Sequence, residues 1–188
     1  MIKTYVIDTN VLIQAPYALE CFEDNNLVLP LVVLEELDGL KKAEGEKGAN
    51  ARAAVRKLEG YRQKGDLLQG VKLDGGGILR IEKNFVNVEL PSDLPDDKPD
   101  NRILKVCMGL ADTAKDSQVI LVTKDIVLRL KAQILGMKAE DFERERVSDD
   151  DAQYTGRTEV YFPEDMIKEF KKLSLIHISE PTRLLSIS

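Results

Sequence analysis

The chain is short of imidazole and thiol. It has one histidine, His177, and two cysteines, Cys21 and Cys107. A single histidine near the C-terminus excludes a His-based catalytic triad and a His-rich zinc site. The cysteines form no CxxC pair and lie in apolar surroundings, so both read as buried thiols. No apolar run approaches the ~20 residues of a membrane span. The opening "MIKTYVID" has no signal-peptide h-region, so the expected location is cytoplasmic. Neither GxxxxGK[ST] nor GxGxxG occurs, which removes a nucleotide phosphate loop from these residues. The net charge of −6 argues against a simple electrostatic nucleic-acid binder. Any catalysis must therefore rest on carboxylates, lysines or hydroxyls.

What is present is an ordinary globular composition, with 43% hydrophobic and 32% charged residues. At 188 residues the chain can hold one well-cored domain plus an extension. Its charge is unevenly spread. Lys41, Lys42, Lys47, Arg52, Arg56, Lys57, Arg62 and Lys64 face only Glu44, Glu46 and Glu59 in that stretch. The acid excess lies elsewhere, in "SDLPDDKPD" and "SDDD". One basic face on an acidic protein suits a polyanion approaching an acidic, metal-loaded pocket.

Strands and helices alternate along the chain. Lys3 to Ile7 reads as a buried strand and Val11 to Phe22 as a helix with Pro16 near a first turn or kink. Leu27 to Leu29 reads as a second strand, and Val32 to Lys42 as a helix loosened at its far end by Gly39, Gly45 and Gly48. Asn50 to Lys64 is a basic helix with Ala51, Ala54, Val55, Leu58 and Tyr61 on one stripe. Ile78 to Val88 reads as strand or extended chain, and "LPSDLPDDKPD" as a loop. Asp100 to Lys115 carries Ile103, Val106, Cys107, Leu110, Ala111 and Ala114 at helical spacing. Gln118 to Thr123 is a continuous apolar strand of the kind buried in a parallel sheet. Asp125 to Leu135 is a further helix with Gly136 as its C-cap. This alternation indicates an α/β fold with a mostly parallel central sheet.

In such sheets ligands bind beyond the carboxyl ends of the strands. Asp8 follows the first strand directly. Glu36 lies in the helix after "LVLP", Asp100 opens the strongest helix, and Asp125 follows "VILVT" by two residues. Singly, Asp100 and Asp125 could be helix N-caps, and Glu36 could be a solvated helix residue. Together they point further. Two carboxylates ~5 Å apart repel by roughly 3 kcal/mol at an effective dielectric of 20. Gathering several calls for a cation or for large pKa shifts. With no usable imidazole or thiolate, the cation is a hard one, Mg²⁺ or Mn²⁺, which also binds phosphate.

"YVIDTNVLI", "LVLPLVVLEELDGLKK", "DNRIL" and "VILVTKD" together resemble the motifs of a PIN domain, a metal-dependent ribonuclease fold. The longer "LPLVVLEELDGLKK" and the later "DDAQYTGRTEVY" resemble the PIN module at the N-terminus of PhoH-type proteins, over about residues 1 to 160. The resemblance implies a three-layer α/β/α fold, Mg²⁺ or Mn²⁺, and hydrolysis of single-stranded RNA. It assigns the metal-binding and catalytic roles to Asp8, Glu36 and Asp100, with Glu35 as the other possible register, and to Asp125 as the more variable acid. Thr9, Asn10 and Thr123 would steady the site through hydrogen bonds. Arg52 and Arg56, one helical turn apart, would grip the RNA backbone, against the plainer reading of a solvated face.

The expected organisation is a nuclease domain over 1–146, a linker over 147–172 towards an ATP-binding PhoH domain absent here, and a tail over 173–188. That tail, "LSIS" included, resembles a translated adaptor sequence; a genuine C-terminus is the alternative. His177 falls within it. Three other functions compete with the nuclease. An RNA-binding or assembly module would keep the acids without cutting. A receiver-like domain needs an acceptor aspartate that no strand supplies. A DxD phosphatase needs an acid where Asn10 stands. A homo-oligomer pairing through Val11 to Phe22 is a further expectation.

Overall fold

A computed structural model describes residues 2–85, 87–113 and 117–142, together with two short strands at 158–160 and 185–187. Met1–Arg144 form one compact unit and Glu145–Ser188 a second. The first unit is built on a six-stranded sheet. Its strands are β1 (Lys3–Ile7), β2 (Asn26–Pro30), β3 (Val71–Lys72), β4 (Ile78–Glu82), β5 (Gln118–Val122) and β6 (Lys138–Glu140). The helices are α1 (Thr9–Gln14), α2 (Leu31–Leu40), α3 (Gly45–Lys64), α4 (Pro99–Thr113) and α5 (Ile126–Ile134), with a 3₁₀ turn at Ala18–Glu20. In the second unit, β7 (Thr158–Val160) pairs antiparallel with β8 (Leu185–Ile187). The rest of the expected linker and tail, His177 among them, lies outside the described residues.

Strand order is β3-β4-β2-β1-β5-β6. Every pairing is parallel except β3 with β4. In β1 and β2, successive residues are all buried: Tyr5, Val6 and Ile7, then Leu27, Val28 and Leu29. Successive side chains point to opposite faces, so both faces of the sheet are covered and the architecture is three-layered. The chain lays down β2 and β4 on one side of β1, then crosses to place β5 and β6 on the other. The strand order thus reverses between β1 and β5, the position where open α/β sheets form their ligand crevice.

Several elements differ from the sequence expectation for local reasons. The helix after β1 stops at Gln14 rather than running to Phe22. Ala15 precedes Pro16 and takes an extended conformation (φ −139°, ψ 84°), as the proline ring requires of its predecessor. Gly45 (φ 75°) does not loosen the end of α2; it opens α3, which begins well before Asn50. Gly48 is in the same helix, where a Cβ would come within 1.8 Å of the Ala43 carbonyl oxygen. The extended segment from Ile78 ends as a strand at Glu82. Gly136 (φ 71°) follows Leu135 in the left-handed conformation that ends α5, as its spacing suggests.

One surface expectation is corrected. Cys21 is exposed, whereas Cys107 is buried and its thiol is pushed far upward by that burial. In the segment from Val11 to Phe22, Val11, Leu12, Ala18 and Leu19 are fully buried in the core, while Ile13, Tyr17 and Phe22 are partly exposed. The exposed large apolar side chains include Ile126, Leu130 and Ile134, spaced along one stripe of α5.

Candidate active site

Asp8 sits at the carboxyl end of β1, and its amide extends the ladder by donating to the Val122 carbonyl at 3.0 Å. It occupies the N-cap position of α1, yet its side chain makes no capping bond there. Its carboxylate turns instead to β5's end, where Oδ2 accepts from the Thr123 hydroxyl at 2.6 Å. Asp8 is only 5% exposed. Its pKa is raised to about 6: burial is the main cause, hydrogen bonds from Thr123 and the Thr9 amide oppose the rise, and the charges of Glu36 and Asp100 add to it. Those last contributions show that three of the four anticipated acids share one electrostatic neighbourhood.

Thr123 is the hub of the floor. Fully buried, it donates to Asp8 while its oxygen accepts from the Asn10 side-chain amide at 3.2 Å and the Asp125 backbone amide at 3.0 Å. Asn10 returns to the same loop, its Oδ1 accepting from the Lys124 amide at 3.1 Å. The polar break "DTN" after β1 and "TKD" after β5 are therefore one interlocked unit across the strand-order reversal.

Glu36 comes from α2. It is partly buried and accepts a hydrogen bond from the Thr9 hydroxyl, whereas Glu35 is exposed and pairs with Arg102 at 3.8 Å. Of the two, Glu36 is therefore the one joined to the residue next to Asp8. Asp100 lies in the first turn of α4, directly after Pro99, where the helix N-terminus favours a carboxylate. The preceding acidic loop is strapped to α4 by three side chains. Asn101 donates to the Pro95 carbonyl at 2.7 Å, Arg102 to the Asp96 carbonyl at 3.0 Å, and buried Lys105 pairs with the Asp96 carboxylate. Asp100 itself is held by Lys131 of α5, with Oδ2 3.0 Å from Nζ.

Asp125 behaves differently. Its Oδ1 caps α5, accepting from the Val127 amide at 2.7 Å and the Leu128 amide at 3.3 Å. It joins the other acids through its backbone link to Thr123 and not through a shared charge on Asp8. The basic helix also divides. Arg52 donates to the Lys41 and Ala43 carbonyls at 2.8 and 3.3 Å, capping the end of α2. Lys57 pairs with Glu20, and Arg62 with Glu59 at 2.7 Å. Arg56 is exposed and, among the described residues, makes no ion pair. Neither Arg52 nor Arg56 contacts the acids.

The donor set fits a hard divalent cation in kind: it is made of oxygen donors, and the charges of Glu36 and Asp100 bear on a buried Asp8 that has no cationic partner among the described residues. As they stand, the described residues include no group of three acid, cysteine or histidine side chains arranged to enclose a metal ion. Each acid is instead engaged by a protein donor: Asp8 by Thr123, Glu36 by Thr9, Asp100 by Lys131 and Asp125 by the α5 amides. Residues missed in the sequence are Lys131, whose partner lies on another helix, and Lys105, whose partner lies in the loop before its own helix.

A family model described as "PIN domain" matches residues 5–143. The curated "Protein PhoH2" of Bacillus subtilis is 41% identical over 185 residues, covering 96% of this chain and 42% of that one. The protein of the same name from Thermobispora bispora is 36% identical over 180 residues, covering 95% and 40%. The chain thus spans about two fifths of these relatives' length. A solved domain of a functionally unknown protein from Methanocaldococcus jannaschii is similar at a TM-score of 0.48, with 21% identity over 76% of this chain and 92% of that one. Matched along nearly its whole first compact unit, the chain belongs to the PIN-domain family.

Proposed function

We propose that this domain is a ribonuclease that hydrolyses phosphodiesters of single-stranded RNA in the presence of Mg²⁺ or Mn²⁺. The observation that carries this reading is that Glu36 of α2 binds Thr9, the neighbour of buried Asp8, and that the charges of Glu36 and of Asp100 in α4 both bear on Asp8. Family membership supports it, because PIN domains are generally nucleases that use divalent metals.

Asp8, Glu36 and Asp100 would hold the cation. Bound there, a divalent ion supplies charge neutralisation at the scissile phosphate and activation of the attacking water. The protein's own residues do the rest. Thr123 and the Thr9 amide orient the Asp8 carboxylate and favour its ionised form. Thr9 fixes Glu36, and Asn10 with Asp125 fixes Thr123. Asp125 therefore acts as a positioning residue, through its cap of α5 and its amide on Thr123. Arg56, exposed on α3, is available to an RNA phosphate; Arg52 would contribute while also capping α2.

The test is cleavage of labelled single-stranded RNA with Mn²⁺, with a chelator and with Glu36→Gln. Cutting that the chelator and the substitution each abolish supports the reading. Cutting that survives both contradicts it.

A second reading has one observation in its favour: every acid is already engaged by a protein donor. In that reading the domain binds RNA without cutting, on behalf of a PhoH-type ATPase in the longer protein. Binding that Arg56→Ala weakens, with no cleavage at any Mn²⁺ concentration, would favour it.

A further inference from the structure

Among the described residues, Asp8 and Glu36 form no ion pair, whereas Asp100 already holds a cation: the Lys131 ammonium at 3.0 Å. The partners lie on different elements, α4 and α5, so the pair exists only in the folded protein. The Lys131 side chain is 21% exposed and that of Asp100 is 42% exposed. The lysine stem is thus largely packed, while the carboxylate stays open to solvent and to an incoming ion. We propose that Lys131 is a built-in counter-cation that competes with the divalent ion for Asp100, so that loading the site requires this ion pair to part. This rests on the nuclease reading above.

The physical case has three parts. A divalent ion at Asp100 would sit beside a positive charge, and like charges at that spacing repel strongly even when partly screened. Lysine suits a displaceable partner, because its ammonium is a point charge on a flexible stem, unlike the bidentate fork of arginine. The pair is partly open to water on the Asp100 side, which screens it and lets it be displaced. With no divalent ion bound, Lys131 balances the charge of Asp100. Once displaced, the ammonium lies at the edge of a site meant for a phosphodiester and can pair with its oxyanion.

The experiment measures Mn²⁺ affinity directly, from the electron paramagnetic resonance signal of free Mn²⁺, without RNA. Wild type, Lys131→Gln, Lys131→Arg, Asp100→Asn and the Asp100→Asn/Lys131→Gln double variant are compared, with thermal midpoints to verify folding. Lys131→Gln is expected to bind Mn²⁺ roughly three- to tenfold tighter than wild type. Lys131→Arg, whose fork holds Asp100 more firmly, should bind Mn²⁺ no more tightly than wild type, and the gain should vanish in the Asp100→Asn background. A merely structural lysine would weaken binding on removal, the opposite sign. Unchanged or weaker binding by Lys131→Gln, with clear Mn²⁺ binding by wild type, overturns the competition and leaves the nuclease reading standing. No Mn²⁺ binding by any variant overturns both.

Discussion

The Thr123 hydroxyl donates to the Asp8 carboxylate at 2.6 Å, joining the ends of two adjacent parallel strands where the strand order reverses. The bond positions the acid and keeps it ionisable in a place where burial alone would favour its protonated form. Thr123→Val removes the donor at nearly constant shape and also orphans the Asn10 amide and the Asp125 backbone N–H. Unfolding in urea should show a loss of about 1–3 kcal/mol. Cleavage at neutral pH should fall by more than that stability loss explains, because Asp8 is then both less oriented and more protonated. A variant that cuts as fast as wild type would remove Thr123 from the site.

Asp8 also sets a pH dependence. Its folded pKa of about 6 lies above the ordinary 3.8, so the folded protein holds this proton more tightly than the unfolded chain does. The associated stability is fully present below pH 3.8 and is lost as pH rises through about 6. Asp8→Asn, which stays neutral, should therefore be more stable than wild type at pH 8 by about 2–3 kcal/mol, at about 1.4 kcal/mol per pKa unit. The difference should shrink towards zero by pH 4. Denaturation curves at pH 4, 6 and 8 check this. A destabilised Asp8→Asn at pH 8 would mean that the buried charge is already compensated in the metal-free protein.

The same charge makes a metal visible without any substrate. Mn²⁺ or Mg²⁺ should raise the thermal midpoint at pH 8, where Asp8 is ionised, and much less at pH 5, where a proton competes. Asp8→Asn should lose the metal-induced rise. An equal rise in wild type and Asp8→Asn would place the ion elsewhere on this acidic surface.

Asp8 and Asp100 stand out in the sequence because one ends a strand and the other opens a helix, whereas Glu36, inside α2, carries no such local signal. Asp125 was legible as a cap, a local signal that the structure bears out through Val127 and Leu128. Thr123 as a hub was only half legible. Its closeness to "VILVT" was evident, but its three partners depend on β5 lying beside β1, which periodicity does not reveal. Lys131 and Lys105 were invisible, since a lysine in an amphipathic helix looks the same whether it meets solvent or a carboxylate across the fold. The short α1 was misjudged because apolar residues continue past Pro16, and the proline's effect on Ala15 prevailed over that pattern.

Arg52 and Arg56 look equivalent in the sequence and should separate in experiment. Arg52→Ala should cost about 1 kcal/mol of stability, since it uncovers the Lys41 and Ala43 carbonyls at the end of α2. Arg56→Ala should leave stability within about 0.5 kcal/mol and weaken RNA binding instead. Paired urea unfolding and RNA-binding titrations distinguish the two. Identical effects of both substitutions would contradict the division.

Gly48→Ala probes the junction that Arg52 caps. Alanine normally favours a helix over glycine by about 1 kcal/mol. Here the new methyl would lie 1.8 Å from the Ala43 carbonyl oxygen, a backbone atom that moves only if the turn between α2 and α3 shifts. A net destabilisation of about 1–3 kcal/mol is expected in urea. A stabilised variant would show that the turn yields freely.

The most direct test of the account is the cleavage of labelled single-stranded RNA by wild type and Asp8→Asn, side by side, with Mn²⁺ at pH 8. Cutting by wild type and near-complete loss in a folded, more stable Asp8→Asn is the outcome this site requires. Equal cutting by both, or none by either at any Mn²⁺ concentration, would contradict it.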